Sequence, residues 1–324
     1  MGFLMHSFLV TGASGFVGQP LCRELTGRGH PVKGVVREIM NVGALDCDFH
    51  RIEDISGETD WTNAFTGIDT VIHLAARVHV MREQTADPLE AFREVNVAGT
   101  ERLARSAAAA GVRRLVYVSS VKVSGEMTDT GRPFTEDDPA LPEDPYGISK
   151  WEAEQALRVI AAETGLEIVI VRPPLVYGAN VKGNFHQMLK VLEKRTPLPL
   201  LSVHNFRSLI YVENLVDALI ACGLHSNASG QTYFVKDEED VSTIYLLRKL
   251  GKAMGRPPLL FPCTPWVLRR LASLVGYSAQ IERLIGSLQI DDSKIRRDLG
   301  WLPPYTSNYG LEKTALDYLN AKKK

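Results

Sequence analysis

The chain has 324 residues, 45% hydrophobic and 23% charged, with 37 Lys and Arg against 38 Asp and Glu for a formal net charge of -1. That profile fits a globular chain of one large domain or two modest ones and excludes the basic footprint of a nucleic-acid binder. The four cysteines (Cys22, Cys47, Cys222, Cys263) make no Cys-x-x-Cys pair and the eight histidines no His-x-x-x-His spacing, which argues against a disulfide framework or a metal site and fits the reducing cytoplasm.

The first ten residues are apolar but lack a basic leader and run straight into glycines, so they read as a first strand over 7–10 rather than a signal peptide. A helix over 15–27 follows, stopped by Gly27-Arg28-Gly29. Strands are expected over 32–36, 49–54 and 70–74, then a long helix over 88–110 that Gly111 ends. A strand over 115–119, a helix over 146–164 and a strand over 167–172 complete the alternation. Alternating strands and helices imply an α/β fold with a doubly wound parallel sheet. Residues 1–172 are therefore assigned to a dinucleotide-binding domain.

After Arg172 the pattern changes. Pro173-Pro174 and Pro197-Leu198-Pro199 interrupt regular structure. Strands over 210–212 and 232–235 are expected to rejoin the sheet, within a returning segment of about 205–235. Helices are expected over 242–254 and 264–285. Residues 173–204 and 236–324 thus make a smaller, substrate-binding lobe. No apolar stretch is long enough to span a bilayer.

Two motifs carry the chemistry. Thr11-Gly12-Ala13-Ser14-Gly15-Phe16-Val17-Gly18 places three glycines between a strand and a helix. Glycine there permits positive φ and lets a pyrophosphate approach the helix N-terminus. At the end of the second strand an acid would hold the ribose hydroxyl of NAD, whereas an arginine would accept the 2′-phosphate of NADP. The chain reads Val35-Val36-Arg37-Glu38, so Arg37 favours NADP(H), with NAD(H) possible if Glu38 curls back. Asp54, followed by Ile55, is placed to accept from an adenine amino group or simply to cap a turn.

The second motif is Tyr146-Gly147-Ile148-Ser149-Lys150. Its phenol and ammonium lie four residues apart, on one face of a helix. A free phenol, with a pKa of about 10, is a poor base, and a nearby cation favours the phenolate. Such a pair, beside a dinucleotide, points to proton transfer coupled to hydride transfer at a carbonyl or alcohol. The third member is a hydroxyl at the end of the strand before it, Tyr117-Val118-Ser119-Ser120; Ser120 is preferred and Ser119 competes.

With these motifs the chain resembles the extended short-chain dehydrogenase/reductases of the nucleotide-sugar epimerase/dehydratase group. Further segments share the likeness: His73-Leu74-Ala75-Ala76, Asn96-Val97-Ala98-Gly99-Thr100, Arg172-Pro173-Pro174-Leu175-Val176-Tyr177-Gly178 and Asp292-Ser293-Lys294. The resemblance implies a Rossmann-type sheet whose cofactor is lined by Leu74, Ala75, Ala76, Asn96, Ser119, Pro173 and Val176 as well as the glycine turn and Lys150. It implies a UDP-sugar substrate, with Asn184 and Arg207 on the diphosphate, Arg283 a further candidate, and Lys122 near the sugar. It also implies a homodimer through a four-helix bundle built from the two alanine-rich helices.

Within that group a 4,6-dehydratase needs carboxylic acids in the two positions after the catalytic hydroxyl, and Val121 and Lys122 stand there instead. The segment Ser119-Ser120-Val121-Lys122-Val123-Ser124-Gly125-Glu126 looks more like that of reductases acting on UDP-4-keto-6-deoxy-N-acetylhexosamines for polysaccharide synthesis. A UDP-hexose 4-epimerase with bound NAD is the alternative, and a non-catalytic NADP sensor a remote one. The arginines of 266–285 also raise the possibility of contact with a membrane surface, against simple packing on the substrate lobe.

Overall fold

Strand β1 (Phe8–Thr11) sends Phe8 and Val10 into one apolar core and Leu9 into another. A strand buried on both faces belongs in the middle of a parallel sheet covered by helices. The computed structural model, which describes residues 5–38, 45–78, 87–129, 131–274 and 278–322, has that arrangement. β2 (Val32–Val36), β3 (Asp48–Arg51), β4 (Thr70–His73), β5 (Arg114–Val118), β6 (Glu167–Arg172) and β9 (Thr232–Phe234) join β1 in the order β3-β2-β1-β4-β5-β6-β9. Every pairing is parallel, so all strand C-termini share one edge.

Helices α1 (Gly18–Gly27) and α6 (Val212–Leu224) cover one face through Leu21, Leu25, Leu215 and Leu219. The other face is covered by α3 (Gly99–Ala109) and α4 (Pro145–Thr164), through Leu103, Ala104, Ala107, Ala153 and Leu157. These alanines are part of the core of the single chain.

The helix expected over 88–110 is α2 (Pro88–Arg93) and α3 joined by one π-helical stretch, Glu94–Ala98. α2 starts on Asp87, whose carboxylate accepts from the Glu90 N–H at 3.2 Å, with Pro88 in the first turn. α4 starts the same way on Asp144 and Pro145 and stops at Gly165, at φ 75°.

Several expectations are corrected. The segment 12–17 is a turn, and α1 begins only at Gly18. Of the two late strands only β9 returns to the sheet: β8 (Leu209–Tyr211) pairs instead with β7 (Leu175–Tyr177) in a separate two-stranded sheet. The expected helix 264–285 is two, α8 (Pro265–Leu274) and α9 (Ser278–Ile285), clasped by Arg269 Nε to Glu282 at 2.7 Å.

Around the small sheet α5 (Gly183–Glu193), α7 (Thr243–Ala253) and α11 (Ser307–Ala321) build a third core that includes Tyr177, Phe185, Leu246, Leu250 and Leu311. Leu268 of α8 and Ile285 of α9 are buried in it too, so these helices pack on that lobe, while Trp266 stays 64% exposed. Helix α10 (Ser293–Leu299) packs under β9. Among the described residues, no helix is long and apolar enough to cross a membrane.

Candidate active site

The C-terminal edge of the sheet collects the turn after β1, the loop after β4, the end of β5 and the start of α4. In the first of these Gly12 has φ +70°, and a Cβ there would lie 3.1 Å from the Ala75 nitrogen. A Cβ on Gly18 would lie 2.1 Å from the Gly12 carbonyl oxygen, so only glycine lets the helix start this close to the turn. The Gly15 N–H donates to Gly12 O at 2.9 Å. No side chain caps α1. Its first amide groups and the positive end of its dipole therefore suit a diphosphate, and the cradle fits a dinucleotide. Ser14, Phe16 and Val17 are half-buried along this turn.

A buried chain of hydrogen bonds fixes the turn to its neighbour. Thr11 Oγ1 accepts from the Leu74 and Ala75 N–H groups at 3.2 Å each and pairs with His73 Nδ1 at 2.6 Å. His73 Nε2 pairs with Thr100 Oγ1 at 3.0 Å. Burial, helped by the Lys150 charge, pulls the His73 pKa down to about 3, so the ring is neutral. Ala76 follows, half-buried, and Asn96 then clamps the loop: Oδ1 accepts from the Arg77 N–H at 2.8 Å, and Nδ2 donates to Arg77 O and Ser149 Oγ, both at 3.0 Å. With its amide so occupied, Asn96 ties the cofactor loop to α4.

At the adenosine end Arg37 is exposed, one residue beyond β2. Asp54 is exposed as well; its carboxylate accepts from the Ile55 N–H at 2.8 Å, and Ile55 itself is buried.

Ser120 caps a short 3-10 turn (Val121–Val123), accepting from the Lys122 N–H at 3.2 Å, and its hydroxyl favours the charged form of the Tyr146 phenol. The Tyr146 ring meets Phe92 edge-on at 6.0 Å. Burial, with the Asp144 charge, pushes Tyr146 up to about 12, and the Ser120 hydroxyl only partly opposes this. Lys150 is 2% exposed, with Nζ 4.2 Å from the Tyr117 ring centroid. Burial draws its pKa down to about 7 against the field of Glu154. The sequence reading has Lys150 lowering the Tyr146 pKa; in the protein alone burial outweighs any such effect.

Ser119 is buried and donates to Glu154 Oε1 at 2.6 Å, while Glu154 also holds Arg172 through bonds of 2.9 and 2.6 Å. That buried pair lies under the site and braces α4 against β6. Pro173 is buried, its carbonyl accepting from the Val121 N–H at 3.0 Å, and half-buried Val176 packs between two cores.

Three of the four expected substrate residues come together around Glu126. Lys122 Nζ lies 2.5 Å from both Glu126 Oε1 and Asp144 Oδ2, and Arg283 Nε lies 3.4 Å from Glu126 Oε2. Arg207 Nη1 donates to the carbonyls of Arg283 at 2.8 Å and Gly286 at 3.2 Å. Burial pulls the Arg207 pKa below its usual value, with Glu126 opposing. Asn184 sits on the exposed first turn of α5, and no hydrogen bond among the described residues joins it to this cluster.

Sequence reasoning missed Glu126 and Asp144. Asp144 was legible, since Asp-Pro just before a helical pattern marks an N-cap. Glu126 carries no local signal. Among the described residues no group of His, Cys, Asp and Glu could hold a metal ion.

The model of the NAD dependent epimerase/dehydratase family matches residues 8–235. A Vibrio cholerae protein named UDP-glucose 4-epimerase is 41% identical over 317 residues, covering 97% of this chain and 96% of the relative. An Escherichia coli O157:H7 4-epimerase of N-acetyl-α-D-glucosaminyl-diphospho-ditrans,octacis-undecaprenol is 27% identical, covering 97% of this chain and 96% of its own. The solved structure of Bacillus cereus UDP-glucuronic acid 4-epimerase in complex with NAD matches with a TM-score of 0.79 at 23% identity, over 98% of each chain. On fold, motifs and full-length similarity, the chain belongs to the NAD-dependent epimerase/dehydratase family of nucleotide-sugar enzymes.

Proposed function

We propose that the protein oxidises and re-reduces C4 of a UDP-hexose, inverting the configuration there, as a UDP-hexose 4-epimerase that keeps NAD bound. The observation that carries this is the register of Ser120, Tyr146 and Lys150 beside an uncapped helix behind a glycine turn. The full-length likeness to a protein named UDP-glucose 4-epimerase supports the substrate, and the NAD in the Bacillus cereus structure supports the cofactor.

NAD, when bound, supplies the hydride acceptor and donor. Tyr146 takes the C4 hydroxyl proton on oxidation and returns it on reduction. Ser120 orients the same oxygen, and its hydroxyl favours the charged form of the phenol. Lys150, with a pKa near 7, can exchange a proton close to neutral pH. Arg207 and Arg283 suit the UDP diphosphate by charge and by the bidentate geometry of the guanidinium.

A second reading is reduction of a UDP-4-keto-6-deoxy-N-acetylhexosamine by NADPH. It is favoured by Arg37, at the end of β2 where an acid would hold the NAD ribose, and by Lys122 and Ser124 after the catalytic hydroxyl. In either case a homodimer through α2–α3 and α4 is proposed from the family resemblance.

The test offers purified protein UDP-glucose and UDP-N-acetylglucosamine alone, and separately a UDP-4-keto sugar with NADPH or NADH. Equilibration of C4 epimers without added cofactor supports the epimerase, with Tyr146→Phe slowing turnover by about 10²–10⁴-fold while NAD stays bound. Stoichiometric consumption of NADPH, with no epimerisation, transfers the assignment to the reductase.

A further inference from the structure

Lys122 was expected to touch the sugar, yet its ammonium is already engaged. Four groups of alternating charge run from Arg283 through Glu126 and Lys122 to Asp144. The last is no ordinary surface acid. Its Oδ1 accepts from the Gly147 N–H at 2.7 Å, which makes it the cap of the helix that carries Tyr146 and Lys150. Its charge also works against ionisation of Tyr146. Lys122 and the Gly147 N–H together hold the Asp144 carboxyl below the usual range although burial opposes them.

The backbone of Lys122 is as closely placed as its side chain. Its N–H donates to the catalytic Ser120 at 3.2 Å, and a Cβ on Gly147 would lie 2.8 Å from its carbonyl oxygen. One residue therefore touches the hydroxyl donor, the cap of the tyrosine helix and the counter-ion of a substrate arginine.

We propose that Lys122 is a positioning residue that screens the Asp144 charge from Tyr146 and locks the first turn of α4 against Ser120. The inference rests on the assignment of Tyr146 as the proton carrier in the proposed function. The charged and titratable groups that face Tyr146 and Lys122 are few. Asp144 and Lys150 come from α4 and its cap, Glu126 and Glu143 from the loop segments beside it, and Arg283 from α9. Arg77 lies over Phe92, which itself packs on Tyr146, and buried Tyr117 feels Tyr146 from β5. Of these Asp144 is the group that both neighbours Tyr146 and binds Lys122, so the effect passes through it.

The experiment reads Tyr146 directly and needs no substrate. Protein labelled with carbon-13 at tyrosine Cζ is loaded with NAD and titrated with base, and the Tyr146 resonance is identified by its loss in Y146F. Lys122→Met should raise the midpoint by about half a unit to one unit, and Asp144→Asn, which keeps the helix cap, should lower it. In the D144N background K122M should have no further effect, and Lys122→Arg should behave as the parent. An unchanged midpoint in K122M overturns the proposal, and so does an equal shift in both backgrounds. A Tyr146 that stays protonated in all five proteins up to the alkaline limit of the fold overturns it too. Because no sugar is present, failure of the UDP-hexose assignment leaves this result readable.

Discussion

His73 shows how a residue picked out by motif acquires a physical role only in the fold. Closed between Thr11 and Thr100 and 1% exposed, it stays neutral down to about pH 3, whereas in the unfolded chain it titrates near 6.5. Between those values the unfolded state binds a proton that the folded state does not, so stability falls as pH falls. From pH 7 to 5 the loss from this one group is about 2 kcal/mol. His73→Gln keeps a donor and an acceptor without a titrating ring. Urea unfolding at both pH values should show wild type losing that much more than the variant; equal losses would mean that His73 is solvated or charged in the native state. At this scale Gly12, Gly18, Ser120, Tyr146 and Lys150 were legible because each motif is local and its spacing sets its geometry. Glu126 was not, because the Arg283 it meets is 157 residues away in sequence and arrives by folding alone.

Elements were legible where one stripe is buried and illegible where everything is. Helix α6 went unread because Leu215, Val216, Ala218, Leu219, Ile220 and Cys222 bury it nearly all round, which erases the amphipathic period. Its end is also unusual, since a buried arginine from the sheet serves it. Arg114 Nη1 donates to the carbonyls of Cys222, Gly223 and His225 at 3.0, 3.1 and 2.7 Å, while its Nε holds Glu167 at 2.7 Å. A cation at a helix C-terminus meets both the free carbonyls and the negative end of the dipole. Arg114→Met keeps the apolar stem but leaves those acceptors buried and unmatched, at a cost of about 2–4 kcal/mol. Urea denaturation gives the total, and amide exchange should localise the loosening to the last turn of α6; a variant as stable as wild type would mean water reaches those carbonyls.

Across the whole molecule the strand at 209–211 was misassigned because a short apolar run fits either sheet equally well, and only its partner decides. What couples the small sheet to the large one is Asp237, buried just after β9. One of its oxygens accepts from Tyr177 Oη at 2.6 Å, and the other from the Tyr211 N–H at 2.9 Å and Asn214 Nδ2 at 2.7 Å. Asn214 in turn exchanges bonds with the backbone of Tyr305, just before α11. β7, β8, α6 and the approach to α11 thus converge on one carboxylate. Asp237→Ala would leave a buried phenol, an N–H and an amide without an acceptor, which costs about 3–5 kcal/mol. Since a core of the parallel sheet and that of the small sheet meet near this point, the loss should lower one cooperative thermal transition rather than split it. Calorimetry of the variant decides: a single transition at lower temperature means that the lobes fold as one unit through Asp237. Two resolved transitions would mean that the small sheet with α5, α7 and α11 holds together independently of the parallel sheet.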